Sequence, residues 1–208
     1  MKGRSIAFIV VLSAFCVTAP AAVAQTLEVT PHLGLHMPVG LLLEGRDQTD
    51  NSFVRRRQLG ATSIGARLAL NALPRFTMEM AASYSPGLVA VTDRDATVDL
   101  GGHVFMGHLK GLYRFAKSES GWSFWGGGGP GIVSRYGEGW VGTRGTTDVA
   151  AVIAGKARLG KLNSNKAFIL AIEDYITRAA FQNTNTSARA RIHHDVVYSF
   201  GMSIPIAK

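Results

Sequence analysis

The chain has 208 residues, 22 Lys and Arg against 14 Asp and Glu, 24 glycines and one cysteine, Cys16. That length makes one domain, and a lone cysteine so near the start excludes a disulfide framework or cysteine-built metal centre from everything after it. The formal charge of +8 calls for an anionic neighbour, which for an exported protein is a membrane surface sooner than a nucleic acid.

The first 24 residues predict a Sec signal peptide. Lys2 and Arg4 form its positive start, Ile6 to Val17 its apolar run, and Ala22-Val23-Ala24 a small-residue cleavage site. The run is short for a membrane span. A lipoprotein signal at Cys16 is the competing reading, and Phe15 is bulky for the position before such a cysteine. The remaining domain, 25–208, has no apolar run long enough for a spanning helix. If it crosses a membrane, it does so as a closed β-barrel, because only that satisfies the backbone in lipid.

From Thr26 to Leu41 the chain alternates: Leu27, Val29, Pro31, Leu33, Leu35, Met37, Val39 and Leu41 on one face, Glu28, Thr30, His32, Gly34, His36 and Gly40 on the other, with Pro38 among them. A period of two places these sets on opposite faces of a strand. A second strand, 59–72, sets Ile64, Ala66, Leu68 and Leu70 against Ser63, Gly65, Arg67 and Asn71, and a third, 76–88, sets Phe76, Met78, Met80, Ala82 and Tyr84 against Thr77, Glu79, Ser83 and Ser85. In the fourth, 97–115, Val98 and Leu100 share one parity while Leu109, Tyr113 and Phe115 share the other. A β-bulge near Met106-Gly107 would explain that. The fifth, 121–136, is too glycine-rich for its facing to be read. The sixth, 146–162, sets Val149, Ala151, Ile153, Ala157 and Leu159 against Asp148, Lys156 and Arg158, and the seventh, 166–181, sets Phe168, Leu170, Ile172 and Ile176 against Glu173, Tyr175 and Thr177. The eighth runs Val196, Tyr198, Phe200, Met202, Ile204, Ile206 on one face, with Val197, Ser199, Gly201, Ser203 and Pro205 between. In each readable strand the apolar face is the continuous one and the other is too small and polar for a core. That suits lipid outside and a polar lumen inside.

Connections alternate between long (Leu42–Gln58, Gly87–Ala96, Gly137–Gly145, Gln182–Ile192) and short (72–75, 117–120, 163–165). The expected fold is therefore all-β: an eight-stranded antiparallel up-and-down transmembrane barrel with short periplasmic turns and four longer extracellular loops. A water-soluble lipocalin-type barrel is the alternative, with the faces reversed.

Gly111-Leu112-Tyr113-Arg114-Phe115, the stretch from Trp122 to Ile132 with its glycine run, Ala171-Ile172-Glu173-Asp174-Tyr175 and the alternating last strand resemble the small eight-stranded outer-membrane barrels of the OmpA/OmpX/OmpW-like group. The resemblance covers residues 25–208 and implies a fold more than an activity. It also implies insertion by the outer-membrane assembly machinery. Such barrels usually end in an aromatic residue that this machinery reads. Here the apolar series stops at Ile206 before Ala207-Lys208, so insertion is expected to be slower, or Phe200 stands in.

Glu28, Arg67, Glu79, Lys156, Arg158 and Glu173 fall on the inner face, joined by Lys110 and Arg114 if the bulge is present. Eight strands leave an interior only wide enough for side chains. These charges therefore read as a salt-bridged plug, with a narrow ion path as the alternative. Arg67 and Glu79 are expected directly opposite each other across a hairpin about Leu73. His32 and His36, four residues apart on a strand, are too far apart to share a metal, and the histidines read as isolated polar groups. Lipid A deacylases of this size need a His-x-Ser-Asn motif that is missing here. In His193-His194-Asp195, Asp195 faces inward with Ser199 while His194 faces outward, so no triad assembles. No enzyme, cofactor or metal is expected. Arg55, Arg56, Arg57, Arg144, Arg189 and Arg191 in the long loops are candidate contacts for lipopolysaccharide phosphate, or simply solvated surface. Gly126–Gly131 and Gly137-Glu138-Gly139 lack the strand–loop–helix setting of a phosphate cradle and read as close packing in a tight wall. Tyr113, Phe115, Trp122, Phe124 and Trp125 belong to an aromatic girdle beside the short turns. The function expected is structural or surface-interactive, by a monomer among outer-membrane lipids and lipopolysaccharide and without nucleic acid. A narrow pore or small-solute transporter of OmpW-like type is the alternative.

Overall fold

The computed structural model describes residues 26–40, 43–46, 52–93, 96–119, 121–141, 143–144, 146–160, 166–179, 182–183 and 191–207. The signal segment and Arg189 lie outside these. Eight long strands form the wall: β1 (Thr26–Val39), β2 (Ala61–Leu73), β3 (Phe76–Asp93), β4 (Ala96–Lys117), β5 (Trp122–Tyr136), β6 (Thr147–Leu159), β7 (Ala167–Ala179) and β8 (Arg191–Ala207). Each pairs antiparallel with its neighbour in sequence, and β8 pairs back onto β1, so the sheet closes as an up-and-down barrel.

Alternation decides which residues face lipid. Leu33, Leu35, Met37, Ile64, Met80, Phe168, Phe200 and their outward neighbours are exposed, whereas Glu28, Arg67, Glu79, Lys110, Arg135, Glu173 and Asp195 are buried. That is the arrangement of a membrane barrel, and the reverse of a soluble one.

Several local expectations change. No bulge interrupts β4 at Met106-Gly107, because its pairing with β3 runs without a break from Tyr113 to Ala96. A register shift occurs instead against β5, between Arg114 and Ala116. The confusing parity arises because Val104, Met106 and Leu112 point inward as a dry filling, so Lys110 is inward without any bulge. The β2–β3 hairpin turns at Pro74-Arg75 and not about Leu73, which places Glu79 opposite Ala69 and Arg67 opposite Ala81, so this pair meets diagonally and not face to face. On β5 the buried residues are Ser123, Trp125, Val133 and Arg135. Trp125 therefore lies in the lumen, with the Lys156 ammonium 5.5 Å from its ring centroid, and not in the girdle.

The glycine run on β5 has a steric cause. A Cβ on Gly127 would lie 2.0 Å from the Gly111 carbonyl oxygen, and one on Gly129 would lie 2.1 Å from that of Leu109. The obstacle is backbone, which cannot swing aside. Gly129→Ala is therefore expected to force β4 and β5 apart and to lower the urea midpoint of the membrane-inserted barrel by an amount equivalent to about 2 kcal/mol or more. An unchanged midpoint would mean the wall is looser there than its geometry implies.

The long connections are less loop-like than expected. Leu43–Arg46 and Phe53–Gln58 pair as a hairpin that continues the wall along the upper part of β3, and β3 and β4 themselves extend to Asp93 and Ala96. A short 3-10 turn, Glu138–Trp140, follows β5. Thr143–Arg144 pairs with Gln182–Asn183.

Candidate functional site: a filled lumen beneath a cap

The inward charges gather into three groups. Nearest the turns, Arg158 Nη1 donates to both oxygens of Glu28 at 2.8 and 3.0 Å, and the Ser203 hydroxyl donates to Glu28 Oε2 at 2.5 Å. Above this is the densest group. Arg67 binds Glu173 at 3.1 Å and approaches Glu79 at 3.6 Å. Lys110 Nζ binds Glu79 at 3.0 Å and also Glu173, while Lys156 Nζ reaches Glu79 at 2.7 Å. Arg67, Glu79, Lys110 and Glu173 have side chains at most 1% exposed. Three cations thus share two carboxylates across a lumen of side-chain width, which the network fills.

One inward position further along β7 and β8 stand Tyr175 and Val197, which join Val104, Met106, Val133, Ala150 and Val152 in a buried apolar cluster. The next inward residue of β8, Asp195, binds His36 Nε2 at 2.9 Å and Arg135, whose other nitrogen lies 3.5 Å from Asp148. This third group was not anticipated. Arg135 lies on the unreadable glycine-rich strand, and the link from His36 to Asp195 spans the β1–β8 closure. The available signal was that Asp148 and Asp195 both fell at inward parity without an assigned cation.

The histidines are partnered, and the reading of them as isolated groups is corrected. Strand closure brings His32 to Ser83 at 3.1 Å and His108 to Tyr175 at 2.7 Å inside, and His103 to Tyr84 at 2.9 Å and His194 to Asp174 at 2.8 Å outside. Among the described residues, Glu79, His108 and Glu173 present ligand atoms close enough for a metal ion. Their carboxylates are already held by Arg67, Lys110 and Lys156, which supply the positive charge an ion would bring. His36 bonds Asp195 through Nε2, and its Nδ1 makes no hydrogen bond among the described residues.

At the end opposite the short turns, the hairpin and the 3-10 turn pack together on the inner side of the extended β3. Leu43, Val54, Val89 and Trp140 form a separate buried apolar cluster. Arg56 fastens it, with Nη1 donating to the Gly139 carbonyl at 2.8 Å and to the Thr143 hydroxyl at 2.5 Å. Burial lowers the Arg56 pKa from its ordinary value, and the side chain is only 8% exposed. Arg56 is thus an internal clasp and is withdrawn from the surface arginines, because alternation along Phe53–Gln58 turns it inward while Arg55 and Arg57 face out. Arg55 and Arg191 flank Glu44 at 3.7 and 3.2 Å on the exposed side. Arg144 is placed by its backbone pairing with Gln182. Arg114 is half-buried.

Two aromatic groups bracket the outer wall. Tyr113, Phe115, Trp122 and Phe124 lie beside the short turns, with Phe124 stacked between the rings of Phe115 and Trp122. Tyr84, His103 and Tyr136 stack at the other end. His103 and Tyr113 are both outward on β4, and the ten-residue step between them spans about 25 Å along a barrel axis at ordinary strand tilt, the height of an outer-membrane apolar band.

A closed eight-stranded wall with an apolar exterior, paired aromatic belts and a polar filled interior is a transmembrane barrel of the outer-membrane class. No protein-family model matches the chain, and no curated protein matches it. Among solved structures the chain is similar to the Escherichia coli outer membrane protein W determined by NMR in solution, at 14% identity over 88% of this chain and 98% of that one, with a TM-score of 0.51. It is also similar to Ail, the attachment invasion locus protein of Yersinia pestis, at 7% identity over 85% of this chain and 98% of that one, with a TM-score of 0.39. At 14% identity the likeness to outer membrane protein W concerns the fold, that of a small membrane-spanning β-barrel.

Proposed function

We propose that the protein serves the outer membrane as a non-enzymatic structural and surface-interaction barrel, a rigid body that displays its long connections outside the cell. The chain is exported by Sec, cleaved after Ala24, inserted by the assembly machinery and acts as a monomer without cofactor. The observation that carries this reading is the lumen itself. Arg67, Glu79, Lys110, Lys156 and Glu173 fill its middle, and the cluster around Trp140 covers its outer mouth. Buried charges packed and ion-paired this densely make a plug, since an ion passing through would have to break several contacts at once. Surface contact then falls to the outward-facing arginines, beside phosphate-rich lipopolysaccharide.

The test is a planar-bilayer recording on protein whose unheated and boiled samples migrate differently in SDS, which certifies a folded barrel. A silent bilayer is expected. Steady unitary current from the folded protein would reject the plug and favour a narrow pore.

A further inference from the structure

The upper end of β4 leaves a sheet edge open. Above His103, which pairs with Tyr136, β4 has no strand on its β5 side among the described residues, while its pairing with β3 continues without a break to Ala96. Phe53–Gln58 lies on the other side of β3, and Leu43–Arg46 lies beyond it. Four strands therefore stand above the closed wall, and residues 97–100 form one of the two outer edges. Alternation fixes which backbone groups are free there. The Arg114 N–H donates to the Arg75 carbonyl beside β3 at 2.8 Å, and the Leu109 and Gly111 carbonyls press on Gly129 and Gly127 of β5. Even-numbered residues of β4 thus turn their N–H and C=O toward β3, and odd-numbered ones turn them away. The Gly101 carbonyl is still screened by Gly137, where an added Cβ would lie 2.7 Å from it. The N–H and C=O groups of Thr97 and Asp99 come next, and these four have no hydrogen bond among the described residues.

Open edges are normally blunted by charged side chains, proline or a bulge. The other outer edge, Leu43–Arg46, follows that rule: it is short, and Glu44 on it pairs with Arg55 and Arg191. Residues 96–100 carry no lysine, proline or bulge, and residues 96–99 are exposed. Val98 is 55% exposed at the inward parity of the strand, and Asp99, at the outward parity, has no ion pair among the described residues. A row of unpaired backbone donors and acceptors in extended geometry is matched by another strand. A helix uses its own groups internally, and a sugar or phosphate does not repeat at strand spacing. We infer that residues 97–100 take up an extended peptide segment of another protein as an added strand, with an apolar side chain against Val98 and a cation opposite Asp99. This rests on the surface-interaction reading above and names its class of partner. A second copy does not fit. Barrel strands tilt by about 35–45°, so the edges of two barrels upright in one membrane cross steeply and cannot pair.

The experiment is fluorescence anisotropy with the full mature barrel in nanodiscs of zwitterionic lipid. The probe is a labelled short peptide of alternating lysine and valine. A second probe carries N-methyl groups on the lysine amides, which would face Thr97 and Asp99. Wild type is expected to bind the first about tenfold more tightly than the second. Asp99→Pro deletes an edge N–H that takes no part in the β3 ladder and should also cost about tenfold. Asp99→Asn keeps the backbone and should cost about threefold. Glu44→Ala on the other edge should match wild type. Each variant is checked for the heat-dependent gel shift, and amide exchange at Thr97 and Asp99 should slow when peptide is bound. If both probes bind wild type alike, or if Asp99→Asn loses as much as Asp99→Pro, the contact is ionic and strand addition is overturned. If Asp99→Pro binds as wild type does, the peptide is not held at this edge. A wild type that ignores the peptide but binds lipopolysaccharide vesicles sinks strand addition alone, and one that binds neither sinks the surface-contact reading with it.

Discussion

Glu173→Gln is expected to destabilise the barrel by about 3 kcal/mol, toward the lower end of what breaking a buried ion pair costs. Glu173 is fully buried on β7 and accepts from Arg67 and Lys110. Removing its charge leaves Arg67, Lys110 and Lys156 around Glu79 alone, in a lumen where little water can enter to compensate. Glutamine nearly preserves volume, so the loss reports charge and not a cavity. The measurement is urea unfolding from lipid vesicles, followed by tryptophan fluorescence. Lys110→Met in the Glu173→Gln background restores the charge balance and is expected to recover much of the loss, a coupling of about 1–3 kcal/mol in a double-mutant cycle. Arg191→Ala, which breaks the exposed pair with Glu44, should change stability by about 0.5 kcal/mol or less. Equal effects at Glu173 and Arg191 would mean that water reaches the central network and screens it.

How much of this was legible follows from what alternation encodes. Facing along a strand is a local property, so Glu28, Arg67, Glu79, Lys156, Arg158 and Glu173 all read as inward from the sequence. Which of them meet is set by register and by closure of the barrel, and neither is local. A turn at Pro74-Arg75, one residue later than Leu73, sets Arg67 off Glu79, and the bond from His36 to Asp195 exists only because β8 returns to β1. The inferred bulge at Met106 shows the opposite failure. The period-two pattern is intact: Val98 and Leu100 share the parity of Val104, Met106 and Leu112, which fill the lumen as an apolar layer, so apolar residues at that parity do not mark a change of face. Above the membrane the rule that loops are polar hid a cap. Arg56 sits among three consecutive arginines, and only the pairing of Phe53–Gln58 with β3 distinguishes the middle one as buried.

The network and the cap are two barriers in series, and current must pass both, so opening either alone is expected to leave the bilayer silent. Arg56→Ala removes the donor that holds the Gly139 carbonyl and the Thr143 hydroxyl. It loosens the cover over the mouth but leaves Arg67, Lys110, Glu79 and Glu173 in place below. Lys110→Ser/Glu173→Ser removes one positive and one negative group, so the charge balance is kept while the middle of the lumen opens. The Trp140 cluster still covers the mouth in that variant. Combining the three substitutions should give steady unitary current where neither parent gives any. Arg67 and Lys156 remain against Glu79 alone, so the opened path should favour anions, which a reversal potential in asymmetric salt would read. Conductance from Lys110→Ser/Glu173→Ser alone would show that the cap does not seal, and conductance from Arg56→Ala alone would show that the ion-paired network never blocked the lumen. A silent triple variant that still shows the heat-dependent shift would place the true constriction in the apolar layer of Val104, Met106, Val133 and Val197, where dewetting and not charge would hold the barrel shut.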